Sequence, residues 1–262
     1  MGQVIRLFSD YLSQYFKTKL SYRANFFSEL VSNLVFELMR LAFIGIVFQH
    51  VDKLKEWTLW EIVFIYGYFM IPYALFSVFF GFWDFNERYI IRGEMDRILT
   101  RPVNPLAQVC LESIAPDRIF SAITGFIIMI YAAFQLKLSI AWYDPFVFVL
   151  LIISSVMIYA GVYTAIAAVS FFSDSRTGIA PMIWNIQNYG QYPVDVYNNI
   201  IRFILTWILP FAFVGLYPSA FFLRKAEWYT YTMLTPVMGI VFFLIGLVVW
   251  NLGLKKYSGA GS

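Results

Sequence analysis

Hydrophobic positions along this chain come in long runs set apart by short polar segments, a pattern that selects membrane-spanning helices. Residues 3–22 differ: Val4, Phe8, Tyr11, Leu12 and Tyr15 recur at helical spacing while Asp10, Ser13, Gln14 and Lys17 take the opposite side. That arrangement predicts an amphipathic helix lying in the membrane interface over residues 1–24, with Lys17, Lys19 and Arg23 holding it there. Apolar stretches follow at 25–49, 60–83, 118–136, 145–172 and 230–252, each near or above the roughly 20 residues that cross a bilayer core. Residues 177–223 are ambiguous, because Asn185, Gln187, Asn188, Gln191 and Asp195 make the first part polar and Pro193, Pro210 and Pro218 interrupt the rest. Two arrangements fit. Either 177–193 is a polar span and 196–223 is a hairpin dipping back into the outer leaflet, broken at Pro210 and flanked by Pro193 and Pro218, or 177–195 stays cytoplasmic and 198–222 crosses with a kink.

Composition agrees with a lipid solvent. Of 262 residues, 60% are hydrophobic and 13% charged, against about 25% charged in a typical soluble domain. A net charge of +3 leaves no basic stripe for a phosphate backbone, so nucleic acid is excluded as a partner. Cys110 permits no internal disulfide and reads as an apolar filler, and the single histidine, His50, reads as an interfacial residue; neither builds a metal centre or a hydrolytic triad. Lys and Arg near the spans divide twelve to six in favour of the side that carries both termini, which assigns the termini to the cytoplasm. Trp57, Trp60, Trp83, Trp142, Trp228 and Trp250 fall at predicted span ends, the positions of an aromatic belt. The chain reads as one all-α transmembrane domain over 1–254 with a short tail, 255–262, that is partly linker.

Two places could do work. The polar segment 84–117, between the second and third spans, predicts a short helix with Met95, Ile98 and Leu99 on an apolar edge. Pro102 stops that helix by Thr100 or Arg101, and Asn104 caps a second one with Pro105 at its first position. Within the first span, Asn33, Glu37 and Arg40 share one helix face, and Glu37 can pair with Arg40 one turn away. Charges at that depth line a translocation path or subunit interface, or else form a neutral pair that locks the span against its neighbours. Glu29 and Glu61 stand nearer span ends, where interfacial water would solvate them. Phe76, Phe79, Phe80 and Phe82 in the second span, and Trp207, Phe211 and Phe213 later, could line a path for an apolar substrate or face lipid.

Residues 93–105, GEMDRILTRPVNP, resemble the cytoplasmic loop after the second span in type-2 exporter permeases of the ATP-binding-cassette (ABC) superfamily. YPVDVY at 192–197, LPFAFV at 209–214 and YPSA at 217–220 are similar to that family's segment before the last span. The resemblance implies six spans, with a coupling helix seated in a groove of an ATPase; Gly93, Glu94, Asp96, Arg97, Leu99, Arg101 and Pro102 would make that contact. It also implies a re-entrant hairpin over 196–223, two separate ATPase subunits, and a second permease chain of the same or paralogous sequence. The chain has no G-x-x-x-x-G-K-[ST] loop, so it would hold no cofactor or metal itself, and ATP with Mg would sit in the partner ATPase. The implied function is export of a hydrophobic or amphiphilic compound, a peptide or a lipid-linked molecule across a bacterial cytoplasmic membrane. The alternatives are an ion-coupled secondary transporter using Glu37 and Arg40, and an intramembrane lipid enzyme, for which one histidine is a poor start.

Overall fold

Five helices long and apolar enough to cross a membrane organise the computed structural model: α1 (Arg23–Phe48), α2 (Leu59–Phe79), α5 (Ile119–Gln135), α6 (Asp144–Val169) and α10 (Tyr229–Leu254). Between α2 and α5 lie two short helices, α3 (Glu94–Leu99) and α4 (Pro105–Glu112). Between α6 and α10 lie α7 (Ile179–Gln187), α8 (Asn199–Phe203) and α9 (Leu216–Phe222). The structure describes Ser13, Lys17, residues 23–172 and residues 179–257. Most of the interfacial helix expected over 1–24, together with Arg176 and the tail 258–262, lies outside the described residues; Ser13 and Lys17 are helical. No strand forms among the described residues, and one antiparallel bridge joins Leu54 to Trp57 in the turn between α1 and α2.

α2 is apolar all round and buried all round, as a helix at the centre of a membrane bundle must be. It crosses α5 where two glycines meet: a Cβ on Gly67 would sit 2.8 Å from the Gly125 carbonyl oxygen. Small residues at such a crossing let backbones approach, which in lipid replaces the hydrophobic drive for helix association. Aromatic side chains fill the rest, with Tyr159 of α6 ringed by Phe69, Tyr73, Phe76 and Phe211. α1 is the outlier. Only one stripe of it, running through Asn33, Glu37, Arg40 and Ile44, is turned toward the chain, and Phe27, Phe36, Leu38 and Met39 are each 62% exposed.

Contacts at the two ends distinguish the arrangements of 177–223. Ala180 and Pro181 sit beside Phe82, Asn86 and Arg92, at the end of the bundle that carries α3 and α4. Fifteen residues on, the Asp195 carboxylate takes the Trp57 indole N–H at 3.1 Å, at the opposite end. The segment between therefore runs the length of the bundle, helped by 3₁₀ turns at Asn188–Gln191 and Val194–Val196, whose rise per residue exceeds that of an α-helix. Residues 199–222 leave from the Trp57 end and return to it, since Arg224 and Lys225 bond Asp144 and Glu61 there. Asn199–Ile208 and Phe211–Phe222 meet at 71° across Pro210. The tip reaches the Ser155 hydroxyl, bonded to the Phe213 carbonyl at 3.4 Å; at 1.5 Å per residue Ser155 is about 16 Å along α6 from Asp144.

Three expectations are corrected. Pro218 does not flank this hairpin: it lies in the first turn of α9, where a missing N–H costs no helical hydrogen bond. Trp57, Trp228 and Trp250 are buried at 1%, 8% and 2% exposure, against protein and not in an aromatic belt, whereas Trp83 and Trp142 are exposed. Glu61 is not left to water: its carboxylate is 13% exposed and pairs with Lys225 at 3.0 Å, whereas Glu29 stays 38% exposed beside Arg118 at 3.4 Å.

Candidate functional site

The loop between α2 and α5 is an ordered body. α2 ends at Phe79, and the chain continues through a 3₁₀ turn, Phe82–Asp84, and a π-helical turn, Asn86–Ile91. Gly93 has φ 71°, a left-handed conformation that a side chain disfavours, and it reverses the chain into α3. Met95 and Ile98 are fully buried beneath α3 while Leu99 is 42% exposed, so the apolar edge splits between core and outer surface. Asn104 caps α4 by accepting the Ala107 N–H at 3.1 Å, with Pro105 in its first turn.

Glu112, at the end of α4, organises the loop. Its side chain is 3% exposed, and Oε2 accepts from Arg97 at 2.8 Å, from Arg88 at 3.3 Å and from the Tyr89 hydroxyl at 3.3 Å; Gln108 donates to Oε1 at 3.3 Å. Arg88 also holds Glu94 at 2.9 Å. Burial alone would make Arg88 easier to deprotonate, but its bonds to Glu94 and the charge of Glu112 outweigh that and hold the guanidinium above its usual pKa. Burial and the Glu112 charge together push the Tyr89 phenol up. Cys110, half-buried nearby, has its thiol pushed up to about 12 by the apolar surroundings, which disfavours the thiolate.

The seven loop residues singled out from the sequence thus divide. Gly93 shapes the turn, and Glu94 and Arg97 are parts of the ion network, Arg97 reaching it from the exposed surface. Asp96 accepts from the Tyr257 hydroxyl at 3.0 Å, which ties the loop to the chain just beyond α10. Leu99, Arg101 and Pro102 are exposed together and form the outward tip. Glu112 was not singled out, because its partners stand at sequence distances of 4 to 24 with no fixed spacing.

In the first span the Glu37–Arg40 pairing does not form. The Tyr66 hydroxyl of α2 donates to the Glu37 carboxylate instead, and Arg40 makes no ion pair with the described residues. Asn33, Glu37 and Arg40 do share one inward face, bordering cavities between α1, α2, α5 and α7.

At the opposite end a clasp unanticipated from sequence joins four segments. The Asp195 carboxylate takes the Trp57 indole, the Asp195 carbonyl takes the Lys55 ammonium, and Lys225 lies 4.9 Å over the Trp57 ring. Arg224 holds Asp144 at 2.6 Å. Pro193 sets up the 3₁₀ turn that presents Asp195. Asp195→Ala would strand the buried Trp57 N–H and is expected to cost about 2 kcal/mol. The check is thermal unfolding in detergent; a midpoint equal to wild type would remove the clasp from the stability of the fold.

A family model described as "ABC-2 family transporter protein" matches residues 34–261, a span that includes the loop, the hairpin and all five long helices save the start of α1. No curated protein and no solved structure matches the chain.

Proposed function

This chain belongs to the ABC-2 family of transporter proteins, and from that premise we propose that it is the permease subunit of an ATP-driven exporter whose ATPase subunits dock on residues 93–102. It is a multi-pass membrane protein, an ABC-2 type permease with no phosphate-binding loop of its own. ATP hydrolysis accordingly belongs to two partner subunits, a second permease chain completes the pathway, and both termini lie in the cytoplasm of a bacterium. The cargo is a hydrophobic or amphiphilic molecule. Residues 179–195 are read as the fifth crossing and 199–222 as a re-entrant hairpin on the outer side.

One observation carries the reading: a polar, exposed tip mounted on a rigid base. Leu99, Arg101 and Pro102 face outward, while the Glu112 network fixes α3 and α4 to the extension of α2, and Tyr257 links them to the end of α10. When the ATPase dimer closes and displaces this tip, the base moves as a unit and α2, α5 and α10 are pushed together. Coupling is then mechanical, a switch between two packed arrangements.

The test is coexpression with a candidate ABC ATPase from the same genome, purification through a tag on this chain, and measurement of retained ATPase and ATP turnover. Leu99→Asp combined with Arg101→Glu is expected to lower retention about tenfold, as loss of a contact hot spot does, with insertion unchanged. Full retention and turnover in that variant would move the docking site elsewhere. A wild-type chain that transports with no ATPase would favour the ion-coupled alternative.

A further inference from the structure

Two cavities lie one after the other beneath α1. The deeper, of about 180 Å³, reaches Glu37, Arg40, Tyr66, Met70, Gln187 and Asn188. The other, of about 230 Å³, is lined by Phe80, Gly81, Phe82, Trp83 and Ala115 at the end of the bundle that carries α3 and α4. Tyr73, Ser77 and Arg118 line both, and the Tyr163 hydroxyl, on the second, donates to the carbonyl oxygen of the Gln187 side chain, on the first, at 2.8 Å. At that end Trp83 is 52% exposed and the Arg118 side chain 43%. At 1.5 Å per residue, Met70 is about 14 Å and Tyr66 about 20 Å along α2 from Phe79, well inside an apolar layer of roughly 30 Å.

The charges along this path cancel. Arg118 is paired with Glu29 at 3.4 Å, and Arg40 donates to the Tyr66 hydroxyl, which donates in turn to the Glu37 carboxylate. Cancelled charge does not satisfy hydrogen bonds. A guanidinium has five N–H donors and a carboxylate about four acceptor positions, and among the described residues Tyr66 is the one partner bonded to either Arg40 or Glu37. An ion pair taken out of water outweighs its desolvation only when its remaining donors and acceptors are met, and charged side chains at membrane depth face protein partners or a water-filled cavity. Glu37 and Arg40 both line the deeper cavity, where water can meet them. At about 30 Å³ per water molecule each cavity has room for several, and Tyr73, Ser77 and Arg118 keep the passage between the two polar.

We infer that the two cavities form one water-filled inlet within a single chain, open at the α3 and α4 end and closed at the bridge from Arg40 through Tyr66 to Glu37. It gives the polar part of an amphiphilic cargo a hydrated way toward the middle of the bilayer. That role rests on the permease reading. The hydration does not, because it needs neither ATP nor an ATPase, so its test can fail while the copurification above succeeds, and the reverse.

Cys110, the one native cysteine, is replaced by alanine, and single cysteines are introduced as Met70→Cys and Asn188→Cys, in the deeper cavity, and as Met39→Cys, next to Arg40 in sequence but 62% exposed on the far face of α1. The full chain is reconstituted in phosphatidylcholine nanodiscs, which leave both membrane faces reachable, and labelling by methanethiosulfonates bearing a trimethylammonium or a sulfonate group is timed. These reagents stay in water and react with the thiolate, a form that lipid suppresses. Met70→Cys and Asn188→Cys should label at least about tenfold faster than Met39→Cys with one or both reagents, the least that moving a thiolate from lipid to water implies. Ser77→Phe, which narrows the passage shared by the two cavities, should slow both toward the Met39→Cys rate. Should Met70→Cys fail to insert, Asn188→Cys carries the same expectation, and Ser77→Leu is the smaller plug. Rates equal to Met39→Cys at both positions would mean dry cavities, and fast labelling that the plug leaves unchanged would bring water from the opposite end; either result overturns the inlet.

Discussion

Glu112→Ala is expected to loosen the loop between the second and third spans and to remove productive coupling, with the chain still inserted. Its carboxylate is almost wholly buried and gathers two guanidinium groups, a phenol and an amide. Truncation leaves Arg88 and Tyr89 facing an empty polar site, and removing one member of a buried ionic cluster costs 3 to 5 kcal/mol as a rule. The lower end, about 3 kcal/mol, applies here, because the Arg88 and Arg97 side chains are 31% and 44% exposed and water screens part of the loss. Hydrogen exchange over residues 86–112 should accelerate about a hundredfold, the factor that energy implies. Arg97→Ala should do less, since Arg88 still holds Glu112 and ties it to Glu94. Unchanged exchange in Glu112→Ala would mean that the loop draws its order from Met95, Ile98 and Val109, the apolar residues buried beneath it.

The contrast between Glu112 and the five long helices marks what can be read from the chain alone. A span announces itself by local composition: twenty apolar residues need lipid or a core, and the five stretches read from the sequence lie within a few residues of the helices found. The short helices α3 and α4 were equally legible, because Pro102, Asn104 and Pro105 act on the backbone next to them. Long-range polar pairing leaves no such trace. Asp195 looked like part of a polar stretch until Trp57, 138 residues away, was found on it, and Glu37 had a plausible partner one turn off that lost to Tyr66 on another helix. Sequence places a charge on a face and at a depth; which of several donors at that depth reaches it depends on helix packing.

The contact between α6 and α10 is a second feature that only packing reveals, and it gives the largest expected loss of stability. Gly239, Gly246 and Gly253 of α10 face Ser154, Gly161 and Ala168 of α6, each set stepping by seven residues. A seven-residue repeat keeps one seam of small residues in register along two parallel helices that coil left-handedly, with backbones close enough for van der Waals contact to hold them. At the centre a Cβ on Gly246 would lie 2.4 Å from the Gly161 carbonyl oxygen and 2.7 Å from its Cα, and a Cβ on Gly161 would lie 2.1 Å from the Phe242 carbonyl oxygen. These neighbours are backbone atoms and cannot swing aside. Gly246→Val must therefore push the helices apart, which also opens the contacts one repeat above and below. An expected cost of at least about 3 kcal/mol, at the top of the range for overpacking, should lower the unfolding midpoint in detergent by about 10 °C. Gly45→Ala is the matched control, because nothing lies within 4 Å of a Cβ at that position. The midpoint of Gly45→Ala should stay at the wild-type value, and if Gly246→Val matched it the seam would be a passive contact, with the bundle held by the aromatic cluster around Tyr159 instead.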